Sequence, residues 1–223
     1  MPRPKALVAW SSGKDSAYAL WETQRQGELE VVGVLTTVTD AFERVSMHGV
    51  REALLERQAE ELGLPCHQVR IPAPCSNEVY EALMGRALTE ARAEGITHCV
   101  FGDLFLEDIR AYREQKLAPT GVEPVFPLWG RDTRELARAM IDAGIRAVTT
   151  CIDPRKLAPS FAGRAFDAAF LAALPSGVDP CGENGEFHTF VSGGPMFHDE
   201  IRVRTGEVVE RDGFVFADLL PAS

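Results

Sequence analysis

The amino-acid sequence predicts an α/β protein: a doubly wound parallel sheet, with a smaller α+β part toward the C-terminus. Three observations carry that expectation. Strand-length apolar runs alternate with helix-length amphipathic runs through residue 102, the pattern of parallel strands joined by right-handed crossovers with helices on both faces. A polar turn, Ser11-Ser12-Gly13-Lys14-Asp15-Ser16, lies between the first apolar run and the first helix. After residue 200 the chain alternates in short runs around Asp212-Gly213, a strong hairpin signal.

Taken in order, Ala6–Trp10 is the first strand candidate, and the helix after the serine-rich turn reaches about Gln24. Val31–Thr36 reads as a buried strand. A helix from about Gly49 to Leu62 places Val50, Leu54, Leu55, Ala59 and Leu62 on one side and ends at Gly63, a residue suited to the left-handed C′ position. His67–Pro72 is the third strand. Ser76 caps a long helix over Asn77–Glu94, closed by Gly95, and Thr97–Gly102 is the fourth strand. Next come a polar helix, Ile109–Lys116, and a short apolar segment, Val122–Leu128. Asp132 and Glu135 make a capping-box-like start to a helix ending at Gly144. Arg146–Ile152 reads as a strand, Phe161–Leu174 as a helix, and Pro175–Gly194 as turn-rich. The C-terminal meander is Ile201–Arg204, a Thr205-Gly206 turn, Val208–Arg211, and Phe214–Phe216 after Asp212-Gly213. We place a soft division near residue 105, giving a nucleotide-binding part (1–105) and a substrate part (106–223).

Composition narrows the function classes. With 23 basic and 33 acidic residues the formal net charge is −10, which argues against a broad nucleic-acid-binding surface. The longest apolar runs, such as Ala168–Leu174, are far shorter than the ~18–20 residues a membrane-spanning helix needs. No leader segment is visible before the first strand. The cysteines, Cys66, Cys75, Cys99, Cys151 and Cys181, are odd in number and have no C-x-x-C spacing, so neither a disulfide framework nor a structural zinc site is expected. These features suit a reduced, cytoplasmic enzyme; a homodimer is one option for its assembly.

Ser11–Ser16 is the strongest chemical signal. A strand, a tight polar turn and a helix N-terminus gather backbone N–H groups and the positive end of the helix dipole around one volume, which favours phosphate. Ser11, Ser12 and Ser16 add hydroxyls, Lys14 adds a cation, and Asp15 offers a carboxylate for Mg²⁺. The Walker pattern fails, because position 8 is Val and Asp15 follows the lysine. The stretch is a phosphate loop of another kind, and in a doubly wound sheet its place at a strand's carboxyl end is where ligands bind.

Three more clusters stand at strand ends or turns. Ser46-Met47-His48-Gly49 offers His48 as a nucleotide or substrate contact, or as an ordinary histidine at a helix start. Gly102-Asp103 ends a strand on the same sheet edge, where Asp103 suits Mg²⁺ or a ribose; Arg110, Tyr112, Arg113 and Glu114 follow, and the arginines suit phosphate or a carboxylate substrate. The densest cluster is Asp179-Pro180-Cys181-Gly182-Glu183-Asn184-Gly185-Glu186-Phe187-His188-Thr189. Two glycines and an asparagine explain a turn, but two glutamates, a thiol and an imidazole together suit an acid/base loop.

These segments resemble the diphthine–ammonia ligase family, within the N-type ATP pyrophosphatases. The resemblance runs nearly end to end. It is carried by Ser11–Ser16, Ser46–Gly49 with Gln58–Pro65, Phe101-Gly102-Asp103, Arg110–Glu114, Pro127-Leu128-Trp129-Gly130 and, most specifically, Asp179–Thr189. It implies a five-stranded parallel sheet of the adenine nucleotide alpha-hydrolase type with a smaller family-specific domain. It also implies ATP cleavage between the α- and β-phosphates, with Mg²⁺, to adenylate a carboxylate that ammonia then converts to an amide. On that reading Ser11, Ser12, Gly13, Lys14, Asp15, Ser16, His48, Gly102 and Asp103 bind the nucleotide, and Asp15 and Asp103 are the metal-side carboxylates. Asp15, Glu183, Asn184, Glu186 and His188 serve catalysis. Ser12 stands where the family usually has glycine, and Leu117 stands where members that make diphthamide are expected to carry cysteine. The acceptor is therefore a carboxylate-bearing small molecule or modified protein side chain. With no domain left for glutamine hydrolysis, ammonia arrives free or from another protein. Two other functions remain open: thiolation of RNA or a small molecule with Cys181 as sulfur carrier, and a nucleotide-binding regulator without turnover.

Overall fold

The computed structural model describes residues 2–40, 44–45 and 49–222. His48, with Ser46 and Met47, lies outside the described residues.

The first sheet is built from β1 (Lys5–Ala9), β2 (Glu30–Thr39), β4 (Cys66–Ile71), β5 (Ile96–Val100) and β6 (Glu123–Val125), with β3 (Arg44–Val45) added beside the end of β2. These five strands run parallel through four pairings in the order β4-β2-β1-β5-β6, and β3 pairs antiparallel at Val38–Thr39. Successive side chains point to opposite faces of a strand, so Leu7 and Val8 enter different cores. Val8 and Val34 meet Ala17 and Leu20 of α1 (Lys14–Gln26) and Leu54 and Leu55 of α2 (Glu52–Leu62). On the other face Leu7, Leu35 and Cys99 meet Leu88 and Ala91 of α3 (Asn77–Ala93) and Leu117 of α4 (Glu107–Leu117). The sheet is thus doubly wound.

The second sheet is smaller and antiparallel throughout. Its order is β8 (Phe187–Gly193), β7 (Arg146–Ile152), β10 (Phe214–Pro221), β9 (Val203–Arg211). The α1/α2 core runs on without a break into Leu136 and Met140 of α5 (Thr133–Asp142), Phe170 of α6 (Ala168–Ala173), and Phe187 and Phe190 of β8.

The seam between the sheets is pinned at the serine-rich loop. The Val191 N–H donates to the Ser12 carbonyl at 2.8 Å. Gln58, fully buried, donates to the carbonyls of Ser12 (3.1 Å) and Val191 (2.7 Å) and accepts from the Trp10 indole at 2.9 Å. One side chain therefore ties β1, the loop and β8 together.

Several local expectations change. The turn-rich stretch Pro175–Gly194 ends in β8, a strand buried along most of its length; its turn residues flank the strand rather than interrupt it. The helix expected over Phe161–Leu174 shortens to α6, because Asp167 caps it by accepting the Phe170 N–H at 2.7 Å. Thr205-Gly206 is no turn: β9 runs through it, paired with β10. Asp212-Gly213 does turn the chain, with φ of 51° and 78°. The first sheet takes its edge strand β6 from beyond residue 105, where the sequence suggests a division; Pro124 hides that strand from an alternation pattern. No helix among the described residues is long and apolar enough to cross a membrane.

Candidate active site

In the order β4-β2-β1-β5-β6, the chain leaves β1 toward β2 and later crosses back to β5 on the other side. The crevice between the carboxyl ends of β1 and β5 is the topological switch point, where open α/β sheets bind ligands. A cleft of about 760 Å³ opens there, lined by Ser11, Lys14, Asp15 and Ser16 of the loop and by Gly102, Asp103 and Arg113 from β5 and α4. Glu183, His188 and Thr189 close it from the second sheet. Its size lies within the range of small-molecule sites.

The loop is organised around the α1 N-terminus. Gly13 is the N-cap, and Ser16 Oγ donates to its carbonyl at 3.0 Å while lying 3.2 Å from Ser11 Oγ. Two hydroxyls thus face the cleft beside the first turn of the helix. Ser12 holds a left-handed φ of 67° and is fully buried, its hydroxyl without a hydrogen-bond partner. It does not line the cleft; its contribution is the carbonyl that pins the loop to Val191 and Gln58.

Lys14 is turned inward. Its Nζ lies 2.9 Å from both Asp15 carboxylate oxygens and donates to the Cys181 carbonyl. The rings of Phe166 and Phe187 flank it at 5.4 and 5.2 Å, a contact that favours a cation. Burial works to lower its pKa, but the charges of Asp15, Cys181 and Asp179 and the hydrogen bond to Asp15 leave it above the ordinary lysine value. Burial pushes the Asp15 carboxyl up against the pull of Lys14. The Lys14 backbone N–H donates to Thr189 Oγ1 at 3.1 Å, a further link between loop and second sheet.

Gly102 serves close approach. A Cβ there would sit 2.7 Å from the Asp15 carbonyl carbon and 2.9 Å from the Ser16 nitrogen, so only glycine lets β5 run against the α1 N-terminus. Asp103 is gripped by Arg113, whose Nε and a terminal nitrogen reach its two oxygens at 2.5 and 3.3 Å. The guanidinium also lies 4.5 Å from the Phe101 ring centre.

Glu183 enters the cleft from the 179–189 loop. Its Oε1 accepts the Leu104 N–H at 2.7 Å, and Asp179 holds its backbone N–H at 2.8 Å. Burial pushes its carboxyl up to about 7, with the Leu104 bond opposing and the nearby Asp15 and Asp103 charges adding. That value suits a group exchanging protons near neutrality. His188 lines the same cleft from β8. Asn184 and Glu186 do not. Glu186 is buried and accepts from the Asp179 N–H (3.0 Å) and Asn184 Nδ2 (3.2 Å), so these two residues shape the loop that presents Glu183. Burial pushes the Cys181 thiol well above its usual range, and it donates to the Thr133 carbonyl at 3.3 Å behind the loop. It does not line the cleft.

Tyr80, Tyr112 and Arg113 complete the cleft wall. Tyr112 and Arg113 belong to the segment the sequence marks beyond the strand-end Asp103, whereas Tyr80 left no such signal. Gln58 left a subtler one: it occupies the i+4 position from Leu54 on the buried side of α2.

A family model for the diphthamide synthase N-terminal domain matches residues 4–123, and one for the diphthamide synthase C-terminal domain matches residues 132–217. The chain belongs to the diphthamide synthase family. Among curated relatives, the diphthine–ammonia ligase of Homo sapiens is 25% identical over 237 residues, covering 96% of this chain and 88% of that protein. That of Rattus norvegicus is 24% identical with the same coverage, and that of Danio rerio is 24% identical over 93% of this chain and 89% of its own length. Both diphthamide synthase segments contribute to the cleft: the loop, Asp103 and Arg113 from the first, Glu183 and His188 from the second.

Proposed function

We propose that this diphthamide synthase family member is an ATP-dependent, AMP-forming amide ligase. The reaction joins a carboxylate and ATP into an acyl adenylate with release of pyrophosphate. Ammonia then displaces AMP to leave the amide, and one proton is given up. The observation that carries this reading is the shared cleft: a hydroxyl-rich helix N-terminus and a carboxyl with a pKa near 7 face one volume from two different sheets.

Each residue has a physical role on this reading. Ser11, Ser16 and the first turn of α1 supply preorganised donors for the departing pyrophosphate charge. Lys14 acts one step back, fixing Asp15 and the Cys181 backbone. Glu183 takes the proton that the attacking amine must lose, and His188 lines the acceptor side. Asn184 and Glu186 position Glu183. Arg113 offers a guanidinium for phosphate or carboxylate oxygens, oriented by Asp103. Among the described residues no three of His, Cys, Asp and Glu gather into a ready-made metal cluster. Mg²⁺ usually takes only one or two carboxylates plus phosphates, so Asp15 on the cleft wall fits an ion that arrives with the nucleotide. Both carboxylates already meet a cation, Asp15 at Lys14 and Asp103 at Arg113, and Asp103 fits less well because its side chain is the less exposed, 16% against 28%. Mg²⁺ would screen the phosphate charge there.

The buried, raised Cys181 thiol argues against sulfur transfer, because the thiolate is the reactive form. Incubation with ATP, Mg²⁺, ammonium and candidate carboxylates, diphthine-bearing protein and small acids among them, tests the reading. AMP and pyrophosphate should appear together in equal amounts. ADP with inorganic phosphate, or ATP binding without turnover across all acceptors, would overturn it.

A further inference from the structure

We propose that a second pocket, between α5, α6 and residues 174–180, binds a small organic anion with an apolar body. The pocket has a volume of about 640 Å³ and is separate from the ligase cleft, sharing no lining residue with it. Leu171 of α6, with Leu174 and Val178, gives it an apolar wall. Arg134 and Arg138, one turn apart on α5, line it from that helix together with Ile141.

The charge arrangement selects the ligand. Neither guanidinium makes a hydrogen bond or ion pair with another described residue, in a chain of net charge −10. Most arginines here are engaged: Arg44 and Arg51 by Asp218, Arg57 by Glu60 and Glu61, Arg70 by Asp40 and Glu52, Arg113 by Asp103, Arg155 by Asp153. Asp142 also lines the pocket, two turns from Arg134, and its carboxylate forms no ion pair with either arginine. Two guanidinium forks at i and i+4 match the oxygens of one carboxylate or phosphate, while the apolar wall matches a hydrocarbon or aromatic body. A neutral ligand would leave both forks unused, and a compact inorganic anion would leave the wall bare. The inner wall is also the stem of the Glu183 loop: Val178 and Pro180 flank Asp179, which holds the Glu183 N–H at 2.8 Å.

The test uses 8-anilinonaphthalene-1-sulfonate, an anion with an aromatic body, and the full-length protein. Fluorescence titration should give one saturable site that ATP does not compete for. Arg134→Gln/Arg138→Gln changes only exposed side chains, and it should raise the dissociation constant at least tenfold. Ala172→Trp, on the exposed face of α6, should fill the pocket and abolish binding. Decanoate and decyl phosphate should displace the probe, and their relative strength separates a carboxylate from a phosphate head; decanol should displace it at least tenfold less well. The proposal is overturned if the probe fails to bind, if ATP displaces it, if both variants bind as the parent does, or if decanol competes as well as decanoate. None of these outcomes depends on the ligase reading.

Discussion

The Leu104 N–H donates to Glu183 Oε1 at 2.7 Å, joining residues 79 positions apart. Leu104 follows the strand-end pair Gly102-Asp103 of the first sheet, and Glu183 stands on the loop leading into the second. The bond sets the side chain in the cleft, and burial then raises its pKa. The positioning bond itself pulls the pKa down, and burial outweighs it.

Glu183→Gln should expose both effects. As a base, Glu183 must be ionised, so parent activity should rise with pH through about 7. The variant should lose roughly 10²–10⁴-fold in rate and that pH dependence with it. The stability sign follows from linkage. A carboxyl raised from 4.5 to about 7 on folding holds its proton more tightly in the native state, so its stabilising effect is full below pH 4.5 and is lost as pH rises through 7. The melting temperature of the variant should therefore gain on that of the parent between pH 5 and pH 8. A constant difference across that range would contradict the buried carboxyl.

Gly102→Ala should separate the loop from its strand. The added methyl falls 2.7 Å from the Asp15 carbonyl carbon and 2.9 Å from the Ser16 nitrogen, both backbone atoms, so the α1 N-terminus must move. We expect a loss of about 1–3 kcal/mol, typical of overpacking, by urea unfolding. ATP affinity by calorimetry should fall at least tenfold, because the loop's donors move with the helix.

Much of this arrangement was legible in the sequence because period and punctuation agree. The β1–loop–α1 unit, α3 with its Ser76 cap and the Asp212-Gly213 turn all follow from local chemistry. What escaped depends on partners distant in the chain. β8 carries few alternation cues, since it is buried on both faces between β7 and the Ser12 seam. Gln58 reads as a polar interruption of α2 until Trp10, Ser12 and Val191 surround it. Asn184 and Glu186 share a dense cluster with Glu183, but composition does not tell which carboxylate faces the cleft and which holds the loop.

Ser12→Gly should stabilise the protein. A left-handed conformation costs an L-residue about 1–2 kcal/mol, and the Ser12 hydroxyl is buried without a partner. Glycine removes both penalties while adding roughly 0.5–1 kcal/mol of unfolded-chain entropy. The net expectation is a gain of about 1 kcal/mol in chemical denaturation. ATP affinity should stay unchanged, because the Ser12 side chain does not line the cleft.

Asp103 and Arg113 should behave as a coupled pair. Removing the acid in Asp103→Ala leaves a largely enclosed guanidinium without its anion, which destabilises more than losing the pair as a whole. The side chains are 16% and 30% exposed, so the penalty should lie below the about 3–5 kcal/mol of a fully buried pair, at about 1–2. Arg113→Met alone strands the carboxylate and should cost a similar amount. The double variant should recover part of the loss, giving a coupling energy of at least about 0.5 kcal/mol in a double-mutant cycle. Strictly additive losses would mean that the two groups act independently. Mg²⁺ titration of the ATP-bound protein then separates the carboxylates: Asp103→Ala should shift the Mg²⁺ requirement less than Asp15→Ala, because the Asp103 side chain is the less exposed of the two, 16% against 28%.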